Sequence, residues 1–578
     1  MTCVKALLIF VLCSAWGHAA NATEAPVTPQ QAFTRSFASP RLEMLAEGSP
    51  FLVPQRGTYP GWYRTLMTKV LAKNPDSMPK KHSPGCEPDD LQGALESAPS
   101  ALERARRLDG LFQKCGSEWE TGTKGPTANI FRLLRTRLDL DRHPFLQPVM
   151  LNLPGGVRLK GLLALKGDGK KRPLVILRLG IFSNVGDFMP ERFLLMQLFE
   201  QGPANVLVLE NSSGADFVAN NAGLTLGGPE EALQNLQVAR LLRDPQEPLS
   251  KLVGSLHLVG ASLGGNGLFS TAALQNLQKG KAWIDSYFAF CPVVHLRDTL
   301  HHAIRSGAEG TLVDVWISRR LAGVRDRVSS LAATSVGTWW KLRPYYWPEA
   351  LRFAEAAYPT APGLREGLQV PPALDAPLWE AAEPWAWWQP SKAPFLVVAT
   401  REDDIVPVEL NAARLSAALG DRAGDLGLAV LREGFHCTLA AAYDWNVISA
   451  LVNAGTLAGA PGRPPKRVTF DMDLGQLMTA QDLKDLRALT YEIKWPAGGE
   501  SVELKIHASA GGRTVDFGTT LPRNEFDFVF LNPGSMMTDA ERFMLERWLH
   551  KNLRVELRPQ RQGVMARLSW PQAQAALR

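Results

Sequence analysis

The chain has 578 residues, 45% of them hydrophobic and 21% charged, with a formal net charge of +6. That length exceeds what a single hydrophobic core sustains, so two or three domains are expected, and the balance is that of an ordinary globular protein. The basic residues are spread along the chain rather than gathered into blocks, which argues against a dedicated nucleic-acid surface, and no nucleic-acid partner is expected.

Lys5 precedes the apolar run Ala6 to Leu12, and small residues follow through Gly17, Ala19, Ala20 and Ala22. This is the three-part layout of a secretory signal peptide over residues 1–22, with cleavage after Ala20 or Ala22. The run is too short to span a bilayer, and Cys13 follows Leu12 rather than the small residue that lipid attachment requires. A periplasmic or secreted protein without stable membrane insertion is the expectation. Beyond the leader stand Cys86, Cys115, Cys291 and Cys437, without the C-x-x-C spacing of a zinc site. An oxidising compartment permits disulfides, and Cys86 with Cys115, flanking one predicted helix, is the favoured pair. Cys437 reads as a small buried residue.

Residues 23–145 are proline-punctuated and then helical, with Leu91, Ala94, Leu95, Leu102, Ala105, Leu108, Leu111 and Phe112 near helical spacing, and are read as an N-terminal helical extension. Residues 146–455 alternate strands and helices. Pro148 to Leu153 and Leu159 to Leu165 form a hairpin around Pro154-Gly155-Gly156. Six short apolar runs follow: Leu174 to Leu177, Val206 to Leu209, Leu256 to Val259, Tyr287 to Phe290, Phe395 to Val398 and Leu428 to Leu431. Continuous apolar runs are what parallel strands buried on both faces require, so the fold class is α/β with a mostly parallel sheet of eight strands.

The stretch of about one hundred residues between Phe290 and Phe395 is too long for a bare connection and is read as a helical cap over about 296–392. It holds Trp316, Trp339, Trp340, Trp347, Trp379, Trp385, Trp387 and Trp388, which either glue the cap together or line an apolar cleft. Residues 456–467 are a linker by composition, and 468–578 a small α+β module. The module shows period-two alternation at Val502 to Ile506, Phe526 to Phe528 and Leu553 to Leu557, and a capping box at Thr538-Asp539-Ala540-Glu541. Its partner is unknown from sequence.

Between the apolar run ending at Val259 and an alanine- and leucine-rich stretch stands Gly260-Ala261-Ser262-Leu263-Gly264. A serine on a sharp strand-to-helix turn needs small neighbours, because a side chain at Gly260 or Gly264 would collide with the adjoining elements. Serine is a weak nucleophile at its own pKa and needs a base, and the base an acid. The run Phe395 to Val398 leads into Glu402-Asp403-Asp404-Ile405-Val406-Pro407, and Leu428 to Leu431 into Gly434-Phe435-His436. The chain order Ser262, Asp403, His436 places acid and base after the last two strands, with Asp404 and Glu402 as rivals of Asp403. His257 is read as core, His301 and His302 as cap-entrance residues, and His507 and His550 as part of the terminal module. For an oxyanion, Leu263 supplies one backbone N–H, and the loop Arg178-Leu179-Gly180-Ile181-Phe182 the other, through Ile181 or alternatively Phe182.

These three motifs resemble the α/β-hydrolase superfamily over roughly residues 147 to 455, and the Ser-Leu-Gly-Gly-Asn tail is similar to its YheT-like branch of esterases. Most of the superfamily carries a His-Gly pair at the oxyanion loop, where this chain has Leu179-Gly180. The resemblance implies hydrolysis of carboxylic esters, small-molecule or lipid-like, through an acyl-serine, with no cofactor. Other readings are an aminopeptidase-like enzyme using Glu349, Glu355, Glu380 or Glu383 to hold an amine, an acyltransferase, or a binding protein on the same fold.

Overall fold

The computed structural model describes residues 41–44, 82–121, 146–165 and 171–185, all but a few of residues 194–303, 351–457 and 467–494, and residues 501–522, 553–560 and 563–571. The chain divides into two compact units, the boundary falling after Ala460.

The larger unit is built on one twisted sheet. Its strands are β1 (Arg41–Met44), β2 (Leu146–Asn152), β3 (Arg158–Ala164), β4 (Arg172–Arg178), β5 (Asn205–Leu209), β6 (Val253–Ala261), β7 (Ser286–Phe290), β8 (Ser391–Thr400) and β9 (Gly424–Leu431). The spatial order is β1-β2-β3-β5-β4-β6-β7-β8-β9. β1, β2, β3 and β5 pair antiparallel in succession, and from β5 through β4 to β9 every pairing is parallel. All eight strands expected from the sequence are present. The ninth, β1, adds an edge strand from the segment read as a helical extension.

Both faces of the parallel strands are buried, which is why they read as unbroken apolar runs. Leu174, Ile176, Leu256, Leu258, Phe395 and Val397 share a core with the helices Gly228–Arg243 and Leu263–Leu277. The alternate residues face the helix Trp445–Leu457, whose Gly455 lies against Phe288 and Leu396. Helices Pro88–Glu96 and Ala101–Trp119 belong to this same unit. Asp425 of β9 accepts the N–H of Ala101 at 2.6 Å, and the Ser100 hydroxyl caps the first turn by accepting from Glu103 N. The disulfide Cys86–Cys115 joins the second helix to the segment preceding the first.

The insertion between β7 and β8 opens with a helix, Leu296–Ala303. Its described later part, from residue 361 on, consists of single turns of helix separated by prolines rather than the long helices of the expected cap. Trp385 and Trp388 are buried against Phe269 and Phe395 in the main core, so they fasten the insertion to the sheet instead of facing a cleft. Trp316, Trp339, Trp340, Trp347 and Glu349 lie outside the described residues, as do residues 1–22, Phe526 to Phe528, Thr538 to Glu541 and His550.

The smaller unit holds two three-stranded antiparallel sheets, β10 (Arg467–Asp473), β15 (Gly563–Pro571) and β14 (Arg554–Gln560) in one, β11 (Leu486–Lys494), β12 (Ser501–Ala510) and β13 (Arg513–Pro522) in the other. Leu504, Ile506 and Phe517 from one sheet and Val564, Ala566 and Leu568 from the other form a core separate from that of the larger unit. Thr479 and Asp482 cap the short helix Ala480–Lys484 reciprocally.

Candidate active site

Because β4 and β6 to β9 run parallel, their C-terminal ends share one rim, and the loops leaving β4, β6, β8 and β9 meet there. β6 ends at Ala261, Ser262 takes φ 54° and ψ −120°, and Leu263 begins a helix. Positive φ is strained for a serine and persists only where its surroundings fix it. Three bonds do so: Ser262 N–H donates to Phe290 O at 3.0 Å, and Ser262 O accepts from Gly265 N at 3.0 Å and Val293 N at 3.1 Å. The glycines are demanded sterically. A Cβ on Gly260 would stand 2.6 Å from the Gly264 carbonyl oxygen, and one on Gly264 2.5 Å from that of Leu179.

Asp403 follows β8 and is buried, its Oδ1 accepting from Ile405 N at 3.0 Å and Val406 N at 2.8 Å. Those bonds turn Oδ2 toward His436, whose Nδ1 lies 2.7 Å away. The rivals point elsewhere: Asp404 is exposed, and Glu402 accepts from Gly434 N. A carboxylate only accepts, so Nδ1 carries the proton and Nε2 presents a lone pair. Nε2 stands 2.9 Å from Ser262 Oγ. Cys437, with φ 53°, places its Sγ 3.7 Å from the same Nε2. The three expected side chains therefore form one continuous Asp–His–Ser chain.

The loop after β4 approaches the serine turn at Gly264. Phe182 N–H donates to Ser213 Oγ at 2.7 Å, which commits it away from an oxyanion. The N–H groups of Ile181 and Leu263 have no acceptor among the described residues. Phe182, Leu263, Val293, Leu296, Leu300, Leu378, Ala382 and Val406 form an apolar cluster around this rim, with Ile181, Tyr358, Trp379 and Ile405 half-buried against it.

Beneath the loop is a buried polar group that sequence reading did not identify. Arg178, fully buried at the end of β4, donates to Glu210 O at 2.9 Å and Gln234 Oε1 at 2.5 Å. Burial pushes the Glu231 carboxyl up, against the pull of Arg178, and pushes Glu210 up to about 8. Glu231 Oε1 accepts from Asn211 Nδ2 at 2.8 Å. The polar run Glu210 to Ser213 after an apolar strand is the sequence signal for this cluster. Of the other histidines, His257 bonds to the Ser286 and Ser255 hydroxyls in the core, and His507 pairs with Asp516 in the smaller unit. Among the described residues no three His, Cys, Asp or Glu side chains gather as a metal site.

Strand order, crossover at β5-β4, the strand–serine–helix turn and the placement of Asp403 and His436 after the last two strands define an α/β-hydrolase fold. No protein-family model matches the chain, and no curated protein matches it in sequence. Among solved structures it is similar to an esterase of Pyrococcus furiosus, at 15% identity and a TM-score of 0.33 over 53% of this chain and 91% of that one. It is also similar to a 2,6-dihydroxy-pseudo-oxynicotine hydrolase, at 12% identity and 0.35 over 69% and 89%. A puromycin-hydrolysing peptidase of Mycobacterium tuberculosis gives 13% and 0.36 over 57% and 42%. None of the three singles out the YheT-like branch.

Proposed function

We propose that this chain is an exported serine hydrolase that cleaves carboxylic esters through an acyl-serine intermediate. The observation that carries the reading is the unbroken chain from Asp403 Oδ2 through His436 to Ser262 Oγ, at 2.7 and 2.9 Å. His436 Nε2 takes the serine proton as Oγ attacks the acyl carbon, and Asp403 stabilises the imidazolium. The tetrahedral oxyanion is met by the N–H groups of Leu263 and Ile181, each of which contributes about 3 kcal/mol. His436 then protonates the departing alcohol, and the same nitrogen deprotonates the water that releases the acid.

The apolar cluster beside Ser262 supports an apolar acyl or alcohol group. An amine-holding carboxylate finds less support. Glu355 and Glu380 are exposed, and Glu383 lies 3.3 Å from His295 Nδ1. Export is supported by the leader-like layout of residues 1–22 and by the disulfide Cys86–Cys115.

Purified protein assayed against a panel of p-nitrophenyl esters and aminoacyl p-nitroanilides tests the reading. Ester turnover that Ser262→Ala abolishes is expected. Turnover of anilides alone would replace the esterase by a peptidase, and no turnover of either by folded protein would favour the binding-protein reading.

A further inference from the structure

We propose that Ser213 and Asn211 are positioning residues that hold the oxyanion loop with the Ile181 N–H turned out for the substrate; this rests on the reading of Ile181 as the second oxyanion donor. The loop Leu179 to Ser183 is short and carries no regular structure, yet its polar backbone groups are committed one after another. Leu179 O accepts from Asn211 Nδ2 at 3.0 Å, and Gly180 O from Ser183 N at 3.2 Å. Phe182 N–H donates to Ser213 Oγ at 2.7 Å, and Ser183 O accepts from Asn211 N at 3.0 Å. Between these anchored groups the Ile181 N–H has no acceptor among the described residues. Two side chains from the segment after β5 thus grip the loop on either side of that one donor.

The grip is itself fixed. Asn211, fully buried, uses its whole carboxamide: Oδ1 accepts from Ser213 N at 3.0 Å and from the Ser213 hydroxyl at 2.5 Å, while Nδ2 serves both Leu179 O and Glu231 Oε1. Donors and acceptors run in one direction, from Phe182 N–H to the Ser213 hydroxyl, to the Asn211 carbonyl, and from the Asn211 amide to Glu231. Such an aligned series strengthens each member and ends on a carboxyl anchored in the core. Ser213 is decisive, because only an oxygen that both accepts and donates joins Phe182 to Asn211. Phe182 has φ 57°, a conformation unfavourable for a β-substituted residue, so removing its hydroxyl acceptor frees the peptide to relax and carries the Ile181 N–H with it.

Steady-state kinetics with p-nitrophenyl butyrate, together with inhibition by an alkyl trifluoromethyl ketone that forms an oxyanion adduct on serine, tests the assignment. Ser213→Ala is expected to lower kcat about 100-fold with KM changed less than about threefold, as a misplaced transition-state donor does. Affinity for the ketone should fall in parallel with kcat/KM, and Ser213→Thr, which keeps the hydroxyl, should restore both. If Ser213→Ala does not fold, Ser213→Cys, near-isosteric and a weak acceptor, takes its place. Ser213 variants within about twofold of wild-type kcat, or a loss that falls on KM and is not restored by threonine, overturn the proposal. Failure of the parent reading looks different: wild-type protein would then lack Ser262-dependent turnover altogether.

Discussion

At the scale of single residues, two adjacent aspartates with nearly the same sequence context have opposite fates. Asp403 is buried, bound by two backbone N–H groups and aimed at His436, whereas Asp404 is exposed. Asp403→Asn keeps the shape but donates where the carboxylate accepts, which favours the wrong imidazole tautomer. It is expected to lower kcat by about 10⁴-fold, while Asp404→Asn should stay within about twofold of wild type, both read by ester turnover. Equal losses in the two variants would remove Asp403 from the role. Ser262, Asp403 and His436 could be read from sequence because each sits in a motif whose neighbours have local steric duties, such as Gly260 and Gly264. The roles of Asn211, Ser213 and Glu231 could not, because the polar run Glu210 to Ser213 marks a polar loop without disclosing what it binds, and the groups bound across the fold lie 20 to 32 positions away.

At the scale of elements, the strand–serine–helix turn is held against the loop after β4 by close backbone approach. Gly264→Ala places a methyl 2.5 Å from the Leu179 carbonyl oxygen, a backbone atom that cannot swing aside. Thermal unfolding should show a loss of about 1–3 kcal/mol, and ester turnover should fall as well because the displaced loop carries Ile181. An alanine variant with unchanged Tm and activity would contradict this packing. The disulfide Cys86–Cys115 closes a sequence separation of 29 residues that holds the helix Pro88–Glu96 and most of the helix Ala101–Trp119. Replacing both cysteines by serine should cost roughly 3–4 kcal/mol in denaturant unfolding, and added reductant should have the same effect on the wild type. Six of the eight main strands were legible as unbroken apolar runs, and the β2–β3 hairpin from the turn Pro154-Gly155-Gly156 between its two strands. β1, Arg41–Met44, was not, because a four-residue edge strand with two charged residues has neither period nor run to betray it. The length of the insertion predicts a helical cap, but in its described later part Pro371, Pro372, Pro377 and Pro384 limit it to single turns.

At the scale of the whole molecule, two buried groups set opposite dependences of stability on pH. Burial chiefly lowers the folded pKa of His257 to about 4, so the unfolded chain takes up its proton first as pH falls. That contribution is fully present above about pH 6.5 and is lost as pH falls through 4, amounting to about 3 kcal/mol at most. Burial raises Glu210 to about 8, so its contribution is fully present below about pH 4.5 and is lost as pH rises through 8. Tm measured from pH 4 to 9 should pass through a maximum between the two limbs. Glu210→Gln is expected to flatten the alkaline limb and His257→Asn the acid one, and a Glu210→Gln curve parallel to wild type would show that Glu210 is ionised throughout. His257 is read as core because it lies inside an apolar strand, and it is buried; Glu210 could not be assigned from sequence, since burial of a glutamate after a strand end is a property of the assembled sheet and helices.

The claim on which the rest depends is that His436, held by Asp403, makes Ser262 reactive. Peptide mass spectrometry after exposure to a fluorophosphonate tests it most directly. A single adduct on Ser262 is expected, absent from Ser262→Ala and strongly slowed in His436→Ala. Folded wild-type protein that stays unmodified, or an adduct on any other residue, would contradict it.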